Sequence, residues 1–367
     1  MQPEYVGILL NDSTHRGIPS GKTGTESISN YEEAAAMVGL TPCYFRIRDI
    51  SLDTLTTTAY LCSPSGYVQK TIPLPKVIHN RAIHSDPYAR RLIEQFISSG
   101  IFIFNAHTRY GKDIVHHMLT DDPMLRSSLP QTVRAKPGLI RHMLREHGDV
   151  ILKPCRGSVG LGIMRLRRTL LHDQFTYSRS TPSASGWRSL RIPKGHLPLL
   201  LRRRIRYLPF LVQERIPLAE YEGSPFDLRI TVQRGGSGNW ELTGMFARTT
   251  PKGTFVSNIA QGGIPIPVLE PFRHGIPGIH PEMMIQKTAE FGIQIAQSLS
   301  CRLPYAADYG IDAGVTADGR LFFIECNGRD QRYGFREAGM PDIWKESYQK
   351  PMAFARYLLD HGQWPPL

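Results

Sequence analysis

A glycine-rich segment next to a lysine is the first feature that could do chemistry. Lys153 stands just before residues 157–162, whose glycine order G-x-x-G-x-G reverses the dinucleotide-binding fingerprint. Residues 163–166 then alternate like a strand, so we predict a loop between two strands rather than a dinucleotide site, which needs a helix there. Backbone N–H groups of such a loop can fold over a triphosphate while a lysine ammonium approaches it. A flexible turn without a ligand explains the same residues equally well.

Three oxygen donors near the C-terminus could bind a divalent cation. Glu325 and Asn327 are two residues apart, so they share a face if they lie on a strand. Asp312 can join them if its own strand pairs alongside. Carboxylate and amide oxygens suit Mg²⁺, which also bridges phosphates. The alternative is an exposed acidic face of a sheet.

A second glycine-rich segment, residues 17–23, is close to a P-loop but has the wrong spacing. Three residues separate its glycines, where the phosphate-binding motif has four. The missing residue changes which backbone N–H groups converge on a phosphate, so we expect an ordinary loop here.

The charge of the chain is concentrated in one segment. The 367 residues have a net charge of +12, and residues 163–207 contain ten arginines and one lysine against one aspartate. Such a segment indicates either an anionic partner (a nucleotide, an acidic or phosphorylated substrate, a nucleic acid) or a solvated basic surface. No zinc-finger, RNP or basic-zipper signature supports nucleic-acid binding.

Other compositional features exclude several classes of protein. The five cysteines form no C-x-x-C pair, which argues against zinc ribbons and disulfide frameworks and favours the reduced cytosol. No apolar run is long enough to span a bilayer, and the N-terminus has no secretory signal. We therefore expect a cytoplasmic protein of two or three domains without a membrane partner.

The pattern of apolar residues places these motifs on helices and strands. Alternating strands and helices over 1–104 predict a parallel sheet, with a capping box at Ser29 and Glu32 opening a helix. Further on, we predict helices over 111–119, 137–147, 281–299 and 342–359, and strands over 150–153 and 210–213. Two hairpins are expected, 227–233 with 240–248 and 309–315 with 321–325. Residues 173–198, rich in Ser, Pro, Gly and Arg, predict an exposed loop.

Taken in chain order, seven segments resemble the ATP-grasp superfamily, and within it the YheC/YheD-type proteins known as endospore coat-associated proteins. The segments are Asn105…Gly111-Lys112-Asp113, Leu129-Pro130-Gln131-Thr132, Lys153-Pro154 with its glycine loop, Val212-Gln213-Glu214-Arg215-Ile216, Phe226-Asp227-Leu228-Arg229, Arg248…Ser257-Asn258…Gly262-Gly263, and Asp312…Glu325-x-Asn327. The resemblance covers roughly residues 105–330. It implies an α+β fold in which two α/β lobes clamp ATP behind a small Rossmann-like domain. The expected boundaries are 1–104, 105–210 and 211–367.

The resemblance also implies a role for each matching residue. Lys112 and Lys153 would contact the phosphates of ATP. The lid loop would contain Gly157, Ser158, Gly160 and Gly162, and the adenine hinge Gln213, Glu214 and Ile216. Asp227 would hold the ribose or pair with Arg229. Arg229, Arg248 and Lys153 would act on the transferred phosphoryl group, while Asp312, Glu325 and Asn327 would bind Mg²⁺.

The activity implied by the resemblance is an ATP- and Mg²⁺-dependent carboxylate–amine ligase that forms an amide through an acyl phosphate. The alternatives are a phosphotransferase on the same fold and a non-catalytic, nucleotide-binding component of the spore coat. The partners would be ATP, a carboxylate and an amine acceptor, for which an acidic peptide is one candidate. The chain departs from many relatives by having Asp330 where they have proline, and Val256 and Ser257 before Asn258, where some have arginine.

Overall fold

Three β-sheets organise the chain. The computed structural model describes residues 3–84, 86–157, 160–181 and 184–365. The sheets follow one another along the sequence, and helices cover their faces. No helix within these described ranges has the length and apolar character needed to cross a membrane.

The first sheet has seven strands: β1 (Tyr5–Leu9), β2 (Thr41–Phe45), β3 (Ile50–Ser51), β4 (Thr56–Ser63), β5 (Gly66–Pro73), β6 (Val77–Asn80) and β7 (Phe102–Phe104). Its order is β3-β4-β2-β1-β6-β7, with β5 paired to β4. The pairs β1–β2, β1–β6 and β6–β7 are parallel, as predicted, whereas β4 runs antiparallel to its neighbours.

Three helices belong to this first region: α1 (Asp12–Gly17), α2 (Ile28–Met37) and α3 (Pro87–Ser98). The predicted capping box is wrong, because α2 begins at Ile28 and its N-cap lies two residues earlier than predicted. The side chain of Ser27, not Ser29, accepts a hydrogen bond from the backbone N–H of Asn30.

The second sheet has six antiparallel strands: β8 (Thr132–Arg134), β9 (Asp149–Pro154), β10 (Met164–Arg168), β11 (Asp173–Thr181), β12 (Ala184–Ile192) and β13 (Phe210–Glu214). Its order is β12-β11-β10-β9-β13-β8. The accompanying helices are α4 (Lys112–Thr120), α5 (Pro137–His147) and α6 (Leu199–Tyr207). Pairing of β9 with β10 confirms the predicted strand–loop–strand around the glycine-rich segment.

The exposed loop predicted over 173–198 is wrong, because β11 and β12 form a hairpin there. Phe175 is fully buried and lies opposite Leu190, and the side chains of Gln174 and Ser189 hydrogen-bond across the pair at 2.8 Å. Small polar residues occupy the positions between those that face the core. A strand with one buried face has this period of two, but the many polar residues made the segment look like a loop.

The third sheet is antiparallel and contains both predicted hairpins. Its strands are β14 (Glu220–Tyr221), β15 (Ser224–Arg234), β16 (Trp240–Thr249), β17 (Ile264–Ile266), β18 (Asp308–Val315) and β19 (Leu321–Asn327), in the order β17-β16-β15-β18-β19 with β14 paired to β15. The helices are α7 (Leu269–Gly275), α8 (Pro281–Ser300), α9 (Tyr333–Glu337) and α10 (Pro341–His361).

The two faces of the central strand β15 differ in character. Leu228, Ile230 and Val232 belong to the largest apolar core, together with Ile295 and Leu299 of α8. The alternate residues are polar yet buried: Asp227, Arg229, Thr231 and Gln233. A row of buried polar groups must be paired with one another or with ligands, so this face marks the functional side of the sheet.

Candidate functional site

A cleft between the second and third sheets collects most of the predicted site residues. It is lined by residues of β9 and β13 on one side and of β15, β16, β18 and β19 on the other. Among the predicted residues, those lining it are Lys153, Gly160, Gln213, Glu214, Ile216, Asp227, Arg248, Asp312 and Glu325. Thus segments far apart in the sequence meet at one place, as a nucleotide site on this sequence requires.

Part of the lining of the cleft is apolar and suits a flat ring. Ile151, Ile163, Ile216, Leu218 and Ile324 line it. Glu214, predicted at the adenine hinge, has its carboxylate turned elsewhere: one oxygen accepts from the backbone N–H of Gln131 at 2.8 Å, and the other lies 3.2 Å from Nδ1 of His147. The backbone N–H of Glu214 also donates to the carbonyl oxygen of Gln131, at 3.0 Å, so this N–H and the carboxylate are both engaged within the chain.

The two predicted phosphate-binding lysines both lie near the oxygen donor Glu325. Nζ of Lys153 donates to Oε1 of Gln213 at 2.6 Å, and the amide of Gln213 donates in turn to Thr132 at 2.8 Å. Nζ of Lys112 lies 2.9 Å from Oε1 of Glu325 and 3.2 Å from the carbonyl oxygen of Gly157. The sequence predicted Gln213 as a hinge residue and missed that its side chain positions Lys153.

Burial lowers the pKa of Lys153 to about 8. The carboxylate of Glu325 works against this shift, and the positive charge of Lys112 adds to it. An ammonium in such a place, with little water around it, is a strong site for phosphate oxygens.

The glycine-rich loop lies over the segment that follows β16. Gly160 and Gly162 have φ values of +70° and +78°, which favour glycine. A Cβ atom on Gly160 would lie 2.9 Å from Cγ1 of Val256. Gly157 contacts Lys112 as described, whereas Ser158 lies outside the described residues. At Gly160 the loop thus approaches Val256, a residue of the cleft lining, closely because no side chain stands there.

A buried chain of ion pairs crosses the third sheet. Arg248 makes a bidentate pair with Asp227, at 2.8 and 2.9 Å, and reaches Oδ2 of Asp312 at 3.0 Å. Arg229 donates to Oδ1 of Asp312 at 2.7 Å and to Asp330 at 2.8 Å. The alternative that Asp227 pairs with Arg229 is therefore wrong, since Asp227 lies opposite Arg248 in the β15–β16 register.

The same chain sets the charge of its central carboxylate. Burial opposes ionisation of Asp312, but the guanidiniums of Arg229 and Arg248 outweigh it and lower its pKa. Asp312 is therefore an anion in the folded protein.

Asp330, noted in the sequence only as a departure from relatives, is an integral part of this chain. Its side chain is fully buried and accepts from Arg229 and, at 2.5 Å, from the hydroxyl of Thr231. Gly310 makes room for it, because a Cβ there would lie 2.3 Å from Oδ1 of Asp330. No spacing rule in the sequence signals this partner.

The three predicted metal ligands line one cavity. Asp312 lies opposite Glu325 in the β18–β19 register, a bulge follows Asp312, and Asn327 lies opposite Gly310. Within the described part of the chain, no three His, Cys, Asp or Glu residues form a metal cluster, and the third donor here is an amide. Two carboxylates and one amide oxygen around one cavity fit Mg²⁺, which takes hard oxygen ligands and keeps several waters.

A second cavity adjoins the first at these donors. Asp312, Glu325, Gly160 and Asn258 line both cavities. The second is also lined by Thr108, Arg109, Tyr110, Arg229, Asn327, Arg329 and Gln331. Hence a group in the second cavity can lie next to the terminal phosphate of a nucleotide in the first.

Comparisons with known proteins place this geometry in context. A family model described as YheC/D like ATP-grasp matches residues 100–358. Endospore coat-associated protein YheD of Bacillus subtilis (strain 168) is 22% identical over 327 residues, which cover 86% of this chain and 70% of the relative.

Two solved structures are similar over nearly the whole chain. ATP-grasp ligase PsnB, complexed with a minimal precursor, has a TM-score of 0.55 at 14% identity, covering 97% of this chain and 99% of that one. D-alanyl-alanine synthetase A of Vibrio cholerae has a TM-score of 0.54 at 11% identity, covering 98% and 97%. At such identities the likeness shows the fold alone.

Proposed function

Because the chain belongs to the YheC/D-like ATP-grasp family, we propose that it is an ATP- and Mg²⁺-dependent ligase that joins a carboxylate to an amine. The family and the α+β ATP-grasp fold predicted from the sequence are confirmed. The observation that supports the activity best is the convergence, around adjoining cavities, of two lysines, two arginines and three oxygen donors from distant segments.

ATP would bind along the first cavity. Its adenine would lie against the apolar part of the lining, by Gln213, Glu214 and Ile216, with the ribose near Asp227. Its phosphates would contact Lys112 and Lys153 under the loop that contains Gly157, Ser158, Gly160 and Gly162. Backbone N–H groups and two ammonium groups are suited to a polyphosphate chain.

Asp312, Glu325 and Asn327 would hold Mg²⁺, which supplies neutralisation of the phosphate charge during transfer. Lys112 now pairs with Glu325, so it would turn toward the phosphates when the metal ligands are engaged. Arg229 and Arg248 already pair with Asp312, and their remaining N–H groups would stabilise the charge that develops during transfer.

The reaction itself has two steps. A substrate carboxylate oxygen attacks the γ-phosphorus of ATP, the bond to the β–γ bridging oxygen breaks, and ADP leaves. The amine then attacks the acyl carbon, loses a proton, and expels inorganic phosphate, leaving an amide. A closed lid loop protects the acyl phosphate from water.

This scheme needs no nucleophilic side chain. The state of Cys155, which lies just before the lid loop, is consistent with it. Burial raises the pKa of the Cys155 thiol to about 11, so it stays protonated and poorly nucleophilic near neutral pH.

Loss of one oxygen donor tests the proposal. We expect Glu325→Ala to abolish ADP release measured with Mg·ATP and a panel of amino acids and peptides. Glu94→Ala, an exposed glutamate on α3, is the matched control and should behave like the wild type. Unchanged turnover in the Glu325 variant would overturn the assignment.

The products distinguish the ligase from its alternatives. Mass spectrometry should detect an amide with loss of one water, whereas a phosphotransferase would yield a stable phosphorylated product. Absence of Mg·ATP binding in calorimetry would favour a non-catalytic role. The cytoplasmic location stays a proposal, as does a spore-coat association, which the name of the Bacillus relative supports.

A further inference from the structure

The second cavity has a side that faces away from the proposed nucleotide. Ile83, just beyond β6, and Thr108 and Arg109, beyond β7, line it together with Arg329 and Gln331, which follow β19. None of these residues has a place in the nucleotide or metal site described above. Their charges and hydrogen-bonding groups should therefore indicate what kind of carboxylate substrate binds there.

Charges are balanced around the nucleotide side. The cations there are Lys112, Lys153, Arg229 and Arg248, and the anions are Asp227, Asp312, Glu325 and Asp330. Each arginine lies between two carboxylates, and Lys112 is paired with Glu325. This region by itself has no excess of either sign.

Arg329, on the far side, belongs in contrast to a buried cluster in which guanidiniums outnumber carboxylates. Glu26 is shared by Arg81 at 2.7 Å and Arg329 at 3.3 Å. Asp308 is shared by Arg332 at 2.6 Å and Arg81 at 3.6 Å. Three arginines thus face two carboxylates, and Nε of Arg329 is buried without a hydrogen-bond partner among the described residues.

Arg109 adds a further positive charge at the same place. Its side chain is exposed and makes no hydrogen bond or ion pair with the part of the chain that the structure describes. The loop that bears it is nevertheless fixed: Thr108 donates to the carbonyl oxygen of Ala82 at 2.8 Å. Gly328 packs against this loop, since a Cβ there would lie 2.8 Å from the ring of Tyr110. The loops that carry Arg109 and Arg329 are therefore in contact.

We propose that Arg109 and Arg329 bind a second anionic group of the carboxylate substrate, so that the enzyme acts on dicarboxylates. The inference rests on the proposed function, with the reacting carboxylate placed in the second cavity, which Arg229 and Asn327 also line. Guanidinium groups match carboxylates in geometry and charge, whereas a monocarboxylate would leave the excess positive charge unpaired. Free diacids and adjacent acidic residues of a peptide share this chemistry.

Matched pairs of probes test the proposal. Succinate and glutarate are compared with butyrate and valerate, and acetyl-Glu-Glu-amide with acetyl-Glu-Gln-amide, by calorimetry with Mg²⁺ and a non-hydrolysable ATP analogue. We expect at least one diacid to bind about tenfold more tightly than its monoacid partner, the size of one charge-assisted contact. Tighter binding of succinate or glutarate would identify a free diacid as the substrate. Tighter binding of the Glu-Glu peptide alone would identify adjacent acidic residues of a peptide.

Arg109→Gln should remove that preference. Arg203 is an exposed arginine of α6, so Arg203→Gln removes the same charge at another place. This control variant should keep the preference for diacids. Equal binding within all three pairs, or a preference that survives in the Arg109 variant, would overturn the proposal. Failure of the ATP analogue to bind would instead count against the proposed function, and the same pairs titrated without nucleotide would still test the arginines.

Discussion

At the scale of single residues, the proposed phosphate site depends on the charge of Lys153. Its ammonium is buried beside Gln213, and burial lowers its pKa to about 8. Below that pH the side chain is charged and attracts phosphate, and above it the side chain becomes neutral. We therefore expect the affinity for Mg·ATP to fall by up to about tenfold per pH unit above about pH 8.

Calorimetric titrations with a non-hydrolysable ATP analogue between about pH 7 and pH 9.5 measure this dependence. Phosphate groups titrate near about pH 6, so the nucleotide does not change charge in the range. In Lys153→Arg the guanidinium stays charged, and the dependence should disappear. The same slope in that variant would show that another group is responsible.

Residue types could be predicted more fully than residue partners. The sequence indicated Lys153, Asp312, Glu325 and Asn327, because they stand in segments that resemble, in chain order, those of a known family. It did not indicate that Asp227 pairs with Arg248, since that depends on the register of β15 with β16. Asp330 was missed as a partner of Arg229 because it lies in the segment after β19, which only the tertiary structure brings to β15.

At the scale of elements, the glycine-rich loop can lie close to the segment after β16 only because residue 160 has no side chain. Gly160→Ala would combine a positive φ with a Cβ 2.9 Å from Val256. Gly195→Ala is the matched control, because its φ is +74° but no atom lies within 4 Å of the new Cβ. Both should lose about 1 kcal/mol in folding free energy from backbone strain, measured by urea unfolding.

Only the Gly160 variant should also bind the ATP analogue several-fold more weakly, because its loop must move away from Val256 and from the cleft. Calorimetry on both variants separates strain from displacement. Equal affinity in the two would contradict the contact between the loop and the segment after β16.

Elements with a strong apolar period were predicted well, and those with small polar residues were not. Helix α5 begins and ends where the sequence indicated, at a proline and before a glycine in the left-handed conformation. The hairpin of β11 and β12 was missed. In the structure, Trp187 of this hairpin packs on Phe255, with ring centroids 4.6 Å apart. That contact joins residues 68 positions apart, which local pattern cannot reveal.

At the scale of the whole molecule, the first sheet shares its core with the C-terminal helix. Tyr348, Met352 and Phe354 of α10 pack with Val6 and Ile8 of β1 in one apolar cluster. The boundaries predicted at residues 104 and 210 follow sequence motifs and stay a prediction. The shared core implies that residues 1–104 do not fold as an independent unit.

Phe354→Ala tests this dependence on α10. The ring is fully buried and meets Phe104 edge-on, with centroids 5.3 Å apart. Its loss should cost about 3–5 kcal/mol, and hydrogen exchange should accelerate in β1 and β6, which lie some 270 or more positions away in the chain. Leu152→Ala, equally buried in the separate core of the second sheet, should accelerate exchange in β9, β10 and β13 instead. If the first sheet kept its protection in the Phe354 variant, residues 1–104 would have to be stable without α10.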